Sequence, residues 1–248
     1  MSNSGKYIYG FTKSDVKLNA NLAGIDGKPI YTLSDNGIAA VVSDSPNGKI
    51  RPERKNLGAH HGIVKEIMRT SAILPVSFGV VADNDAGIKK ILKLNHDSFE
   101  SQLRKLEGKV EMGLKVVWDV ENIFEFMVKT HRTLELFRDN IFLKSTGATQ
   151  EEKLELGRMF ETILNQDREK HIAVVQGVLR TYCCEMEINK PKDEKTVMQL
   201  ACLVEKAKVE QFEKGVFEAA KMFDDSFAFD FNGPWAPHNF VDMRLKTA

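Results

Sequence analysis

Six histidines and three cysteines are the residues of this chain best suited to metal or nucleophilic chemistry. His60 and His61 are adjacent, so on a helix their side chains diverge by about 100° and cannot share one ion. Helical ligand pairs need a spacing of three or four, as in H-E-x-x-H, and neither histidine has a histidine or carboxylate partner at that spacing. The expectation is one histidine at the core edge and the other in water. His96, His131, His171 and His238 stand alone along the chain. Cys183 and Cys184 would point to opposite faces of a strand, with no Cys-x-x-Cys spacing or basic cluster to activate a thiolate. With Cys202 they form an odd, sparse set that suits a reducing compartment rather than a disulfide framework. No metal, cofactor or catalytic residue is expected.

Other matches to reactive motifs fail on context. Ser14-Asp-Val-Lys17 fits S-x-x-K and Ser34-Asp35-Asn36 fits S-D-N, two elements of penicillin-recognising enzymes. The second sits on a hairpin turn twenty residues after the first, which leaves no room for a helical domain between them, and no Lys-Thr-Gly occurs. The segment Gly24–Pro29, "GIDGKP", lacks the spacing and hydroxyl residue of a phosphate-binding loop, and no G-x-S-x-G or G-x-G-x-x-G is present. Tyr7 and Tyr9 loosely suggest an RNA-stacking sheet, but the basic aromatic string that completes such a surface is missing.

The chain has 248 residues, 42% of them hydrophobic, enough to build a core. Lys plus Arg and Asp plus Glu each number 35, so no net field draws the chain to nucleic acid or an anionic membrane. No run approaches the roughly 20 apolar residues that span a bilayer, and the N-terminus lacks an apolar signal core. Neither a nucleic-acid nor a membrane partner is expected.

Periodicity supplies the elements. Lys6–Phe11 reads as a first strand. Ile30–Leu33 and Ile38–Ser43 flank Asn36-Gly37, the turn pair of a hairpin, and a polar loop follows from Asp44 to Pro52. Glu53–Thr70 is a helix with Leu57, His60, Val64, Ile67 and Met68 on one face. Ala72–Ala82 is β-like, with Pro75 marking an edge or bulge. Asp83–Asp85 caps a helix carrying Ile88, Ile91 and Leu92. A second helix carries Phe99, Leu103 and Leu106 and stops at Gly108. Lys109–Asp119 alternates Val110, Met112, Leu114, Val116 and Trp118 with mostly polar residues, predicting one buried and one wet face. Ile123–Leu143 is helical, with Phe124, Met127, Val128 and Leu134 as contacts. Lys144–Gln150 breaks the chain, and Thr149 caps a long helix to about Val178. Tyr182, Cys184, Met186 and Ile188 alternate as a strand, and Val197–Glu205 is apolar on both faces. Ala207–Phe223 is an amphipathic helix through Val209, Phe212, Val216 and Phe217. Phe227, Phe229 and Phe231 alternate again, and Val241, Met243 and Leu245 form a last strand. The predicted fold is α+β with two domains, each a mostly antiparallel sheet covered by helices, and a ferredoxin-like second half. The divisions are 1–120, a helical connector 121–149, and 150–248.

The stretch Phe227–Phe240, "FAFDFNGPWAPHNF", holds the candidate site: Phe231, Asn232, Gly233, Pro234, Trp235, Pro237 and Phe240. Two prolines and a glycine shape an Asn-Gly-Pro turn, and Trp235 offers a large apolar face. The stretch pins the C-terminal strand as a turn, docks a partner, or does both.

Beyond these local signals, "YIYGF", "NLGAHHGIVKEIM", "ILPVSFGVV", "LEGKVEMGLKVVWD" and "FNGPWAPHNFV" occur in an order and spacing that resemble the gas vesicle protein F/L family. Residues 121–195 carry little of the likeness. Ser77 stands where the family more often has arginine, and His238 where tyrosine is common. The resemblance implies a cytoplasmic, vesicle-associated accessory protein of gas vesicle assembly. It would bind the hydrophobic main shell protein during nucleation or growth, and other accessory proteins besides. Alternatives are a minor component of the vesicle wall, or an enzyme with an unrecognised pocket between domains. The family carries no catalytic residues onto this chain.

Overall fold

The computed structural model describes residues 5–19, 22–45, 49–144, 147–242 and 244–246. Its contacts divide the chain into two compact units. One comprises Met1–Met112, Leu203–Ala207 and Gly233–Ala248, the other Gly113–Cys202 and Lys208–Asn232.

In the first unit, strands β1 (Gly5–Lys13), β2 (Ile30–Asp35) and β3 (Ile38–Ser45) run in the order β2-β3-β1. The short strands β4 (Ile73–Pro75) and β5 (Val81–Ala82) both pair with β1. All these pairings are antiparallel. The β2–β3 turn is made by Asn36 and Gly37 with φ of 46° and 86°, the left-handed pair that a tight hairpin demands. Strand β3 extends into the segment expected to be loop; residues 46–48 of that loop lie outside the described residues. The β-like stretch after Thr70 is divided: Pro75 ends β4 opposite Gly10, where its missing N–H leaves the ladder unbroken.

Helices α1 (Arg54–Thr70) and α2 (Asp85–Leu106) pack on this sheet. Helix α1 buries His60, Ile63, Val64, Ile67 and Met68, while Leu57 is only half-buried. Helix α2 is one helix, not two. The Asn84 side chain caps it by accepting from the Gly87 N–H at 2.9 Å. Mid-helix Asn95 does not break it, because its amide donates to the Ile91 carbonyl and exchanges two hydrogen bonds with the Lys246 backbone. Phe99 then stacks on Phe11, ring centroids 4.4 Å apart.

The remaining strands are β6 (Lys109–Trp118), β7 (Glu185–Asn189), β8 (Thr196–Glu205) and β9 (Phe227–Trp235), in the order β7-β8-β6-β9. Strand β6, read from sequence alongside the first-half strands, thus pairs with the C-terminal ones. Strand β8 is buried along nearly its whole length, as its apolar run predicted. Strand β7 begins at Glu185, not Tyr182; Tyr182–Cys184 form the preceding turn, and Ile188 is exposed on this edge strand.

The second unit carries four helices, α3 (Ile123–Thr130), α4 (Arg132–Phe142), α5 (Gln150–Leu179) and α6 (Val209–Ala220). The single helix expected over 123–143 is broken at His131, whose φ of −120° and ψ of 100° are extended. An imidazole contact to Asp167 at 3.0 Å accompanies the break. Thr149 and Glu152 form the capping box that starts α5. Phe212 and Val216 of α6 are buried, but Phe217 is exposed. Trp118, which is buried, clusters with the half-buried rings of His171, Phe223 and Phe227 in this unit. The last expected strand is absent among the described residues of 241–246: a 3-10 turn, His238–Phe240, precedes irregular chain, and Met243 lies outside the description.

Candidate functional site

The stretch expected to turn at Asn232-Gly233-Pro234 instead continues as strand β9 to Trp235, with a cis peptide bond between Gly233 and Pro234. Gly233 has φ of 131°, and a Cβ there would lie 2.8 Å from Met112 Sδ and 3.0 Å from the Glu111 carbonyl oxygen. Only glycine lets the strand lie so close to β6. The extended path separates the candidate residues. Phe231 and Asn232 belong to the second unit, where Phe231 meets Phe217 edge-on at 6.3 Å. Pro237 and Phe240 turn inward and are buried in the first unit. Pro234 and Trp235 stay at the surface, and Trp235 is 50% exposed.

These two residues form one wall of a cavity of about 280 Å³ within the first unit. Ala236 and His238 continue that wall, Glu111 of β6 contributes to the lining, and His61, Gly62, Val64, Lys65 and Met68 of α1 complete it. The α1 contribution follows from its period. His61, Val64, Lys65 and Met68 recur at three- and four-residue spacing, so they share one side of the helix.

Glu111 is the chemical surprise of the cavity. Its place on the polar side of an alternating strand predicted a wet side chain, yet it is 8% exposed. The Asn239 backbone N–H donates to Oε2 at 2.9 Å and the Asn239 side chain to Oε1 at 2.7 Å. Burial raises the carboxyl above its ordinary range, and the Asn239 bonds only partly offset this. No local signal marks this burial, because the partner lies 128 residues downstream. His238 is held below its usual value by desolvation and by His61.

His60 faces the other way. It is 1% exposed, and its Nδ1 lies 2.9 Å from the Tyr7 hydroxyl, which also accepts from the Gly79 N–H at 3.2 Å. It is a core histidine rather than one at the core edge, and His61 is exposed as expected. Tyr9 bonds Ser43 and the Ile25 N–H. With neither Tyr7 nor Tyr9 exposed, the two rings offer no stacking surface to a base. Cys184 is exposed, Cys183 half-buried and Cys202 buried, and the first two precede strand β7 rather than lying on its two faces. Among the described residues no cluster of three or more histidine, cysteine or acidic side chains could hold a metal ion.

The site is thus an apolar cleft with a half-exposed tryptophan, on a fold of two sheets and their helices. The family model described as gas vesicle synthesis protein GvpL/GvpF matches residues 5–242, and the chain belongs to that family. Gas vesicle protein F of Dolichospermum flosaquae is 24% identical, over 96% of this chain and 97% of that protein. Gas vesicle protein F of Streptomyces sp. (strain CB03234) is 26% identical over 95% and 99%. The crystal structure of GvpF from Anabaena sp. PCC7120 superposes with a TM-score of 0.82 at 24% identity, covering 97% of this chain and 99% of that one. GvpF from Microcystis aeruginosa superposes with the same score at 20% identity, covering 97% and 100%. Homologues of this family support a role in gas vesicle formation. Among the described residues no helix is long and apolar enough to cross a membrane.

Proposed function

We propose that this chain is an accessory protein of gas vesicle assembly that binds the hydrophobic main shell protein during nucleation or growth, and that the cavity beside Trp235 is where it does so. It acts in the cytoplasm at the forming vesicle and has no bond-making centre. The observation that carries the reading is Trp235 itself, half-exposed at the mouth of an apolar cavity. A half-exposed aromatic keeps part of its apolar face in water, and that face suits a contact with a partner. A shell subunit not yet in the wall exposes apolar surface that would otherwise aggregate, and a cleft of this kind covers part of it. An enzymatic reading is disfavoured by the cavity's ionisable groups: among the described residues no hydrogen bond or ion pair joins Glu111 to His61 or His238. On the same footing, the succession β6, helices, β7, β8, α6, β9 in the order β7-β8-β6-β9 supports a ferredoxin-like split unit.

The test is co-purification of the main shell protein with the wild-type chain and with Trp235→Ala. The wild type retains the shell protein, and the variant stays folded, losing at most about 3 kcal/mol as a half-buried indole implies, but loses most of the shell protein. No retention by the wild type, or equal retention by both, contradicts the proposal.

A further inference from the structure

The cavity contains one feature that a purely apolar partner would leave without a counter-charge. Each carboxylate oxygen of Glu111 has room for about two hydrogen bonds. Asn239 supplies one to each, and both donors are neutral groups. Lys65, His61 and His238 line the same cavity, yet among the described residues none forms an ion pair with Glu111. A buried carboxylate without a cation is unfavourable, and covering it with hydrocarbon makes it more so.

We propose, resting on the docking reading above, that Glu111 makes this cavity selective for an apolar segment of the partner polypeptide that carries one lysine or arginine. The aliphatic side chains of such a segment cover Trp235, Val64 and Met68, and its cation forms a charge-assisted hydrogen bond to Glu111. Complementarity of charge sets the choice. An all-apolar segment strands the carboxylate, and an acidic one is repelled by it. The raised affinity of Glu111 for a proton fits the same picture, since the site awaits a positive charge from outside.

The test uses short overlapping peptides that tile the main shell protein. Every peptide containing lysine or arginine is matched with a copy in which that residue is norleucine, which keeps an aliphatic stem and removes the charge. Binding is measured by fluorescence anisotropy with the full wild-type chain and with Glu111→Gln. Glutamine fits the pocket because the Asn239 amide can turn to present its oxygen. The wild type prefers the charged peptides by about tenfold or more, and Glu111→Gln abolishes the preference. Equal binding of charged and norleucine peptides by the wild type overturns the inference, and this arm holds even if the variant fails to fold. An undiminished preference in folded Glu111→Gln overturns it as well. If no tiled peptide binds the wild type, the docking reading fails with it; if peptides bind without regard to charge, this inference alone fails.

Discussion

At the scale of the residue, His60 shows how far the type of a side chain is from its role. A histidine on the apolar face of a helix was legible; that it lies fully inside, against Tyr7 fifty-three positions earlier, was not. Burial, and then the charge of His61, push its imidazole down to about 4. The folded chain therefore resists protonating a group that the unfolded chain protonates near 6.5. Its contribution to stability is complete above about pH 6.5 and is lost as the pH falls toward 4, reaching roughly 3 kcal/mol. Melting temperature should fall between pH 7 and pH 4.5, and His60→Gln should fall less over the same interval. A variant with the wild-type pH slope contradicts this assignment. Glu111 works in the opposite sense: its raised carboxyl favours the fold at low pH and loses that advantage as pH rises through its folded value. The sequence showed Trp235 as a large apolar side chain near a glycine and two prolines. It did not show Glu111 beside it, because alternation along a strand reports which side a residue faces, not what a distant segment lays over that side.

At the scale of the element, the signals that proved readable were those made by neighbours in the chain. Asn36-Gly37 makes a hairpin because both residues accept positive φ. The α5 start is set by Thr149, whose Oγ1 accepts from the Glu152 N–H at 3.2 Å while the Glu152 carboxylate accepts from the Thr149 N–H at 2.9 Å. Thr149→Ala should cost about 1 kcal/mol, seen as a lower urea midpoint with unchanged slope. No shift in midpoint would mean the cap is idle. Two departures escaped sequence reading: a helix break with no glycine or proline to mark it, and a strand that continues through both. His131 ends α3 through a contact with α5, and the Asn-Gly-Pro run continues as strand because Gly233 can lie against β6. In each case a partner far along the chain overrides the local preference.

At the scale of the whole molecule, the class of fold was legible and its wiring was not. Alternating strands and amphipathic helices identify an α+β chain, but only pairing shows that β6 lies between β8 and β9, one of them more than a hundred residues downstream. That pairing, with the close approach of β9 to β6, brings Glu111, Trp235 and α1 around one cavity. On the proposed function the chain holds another polypeptide, and a cell that makes gas vesicles tests it most directly. Deleting the gene should leave no mature vesicles and no flotation. The wild-type gene should restore both, and a gene encoding Trp235→Ala, expressed and folded, should not. Normal flotation in the deletion strain, or full rescue by Trp235→Ala, would contradict it.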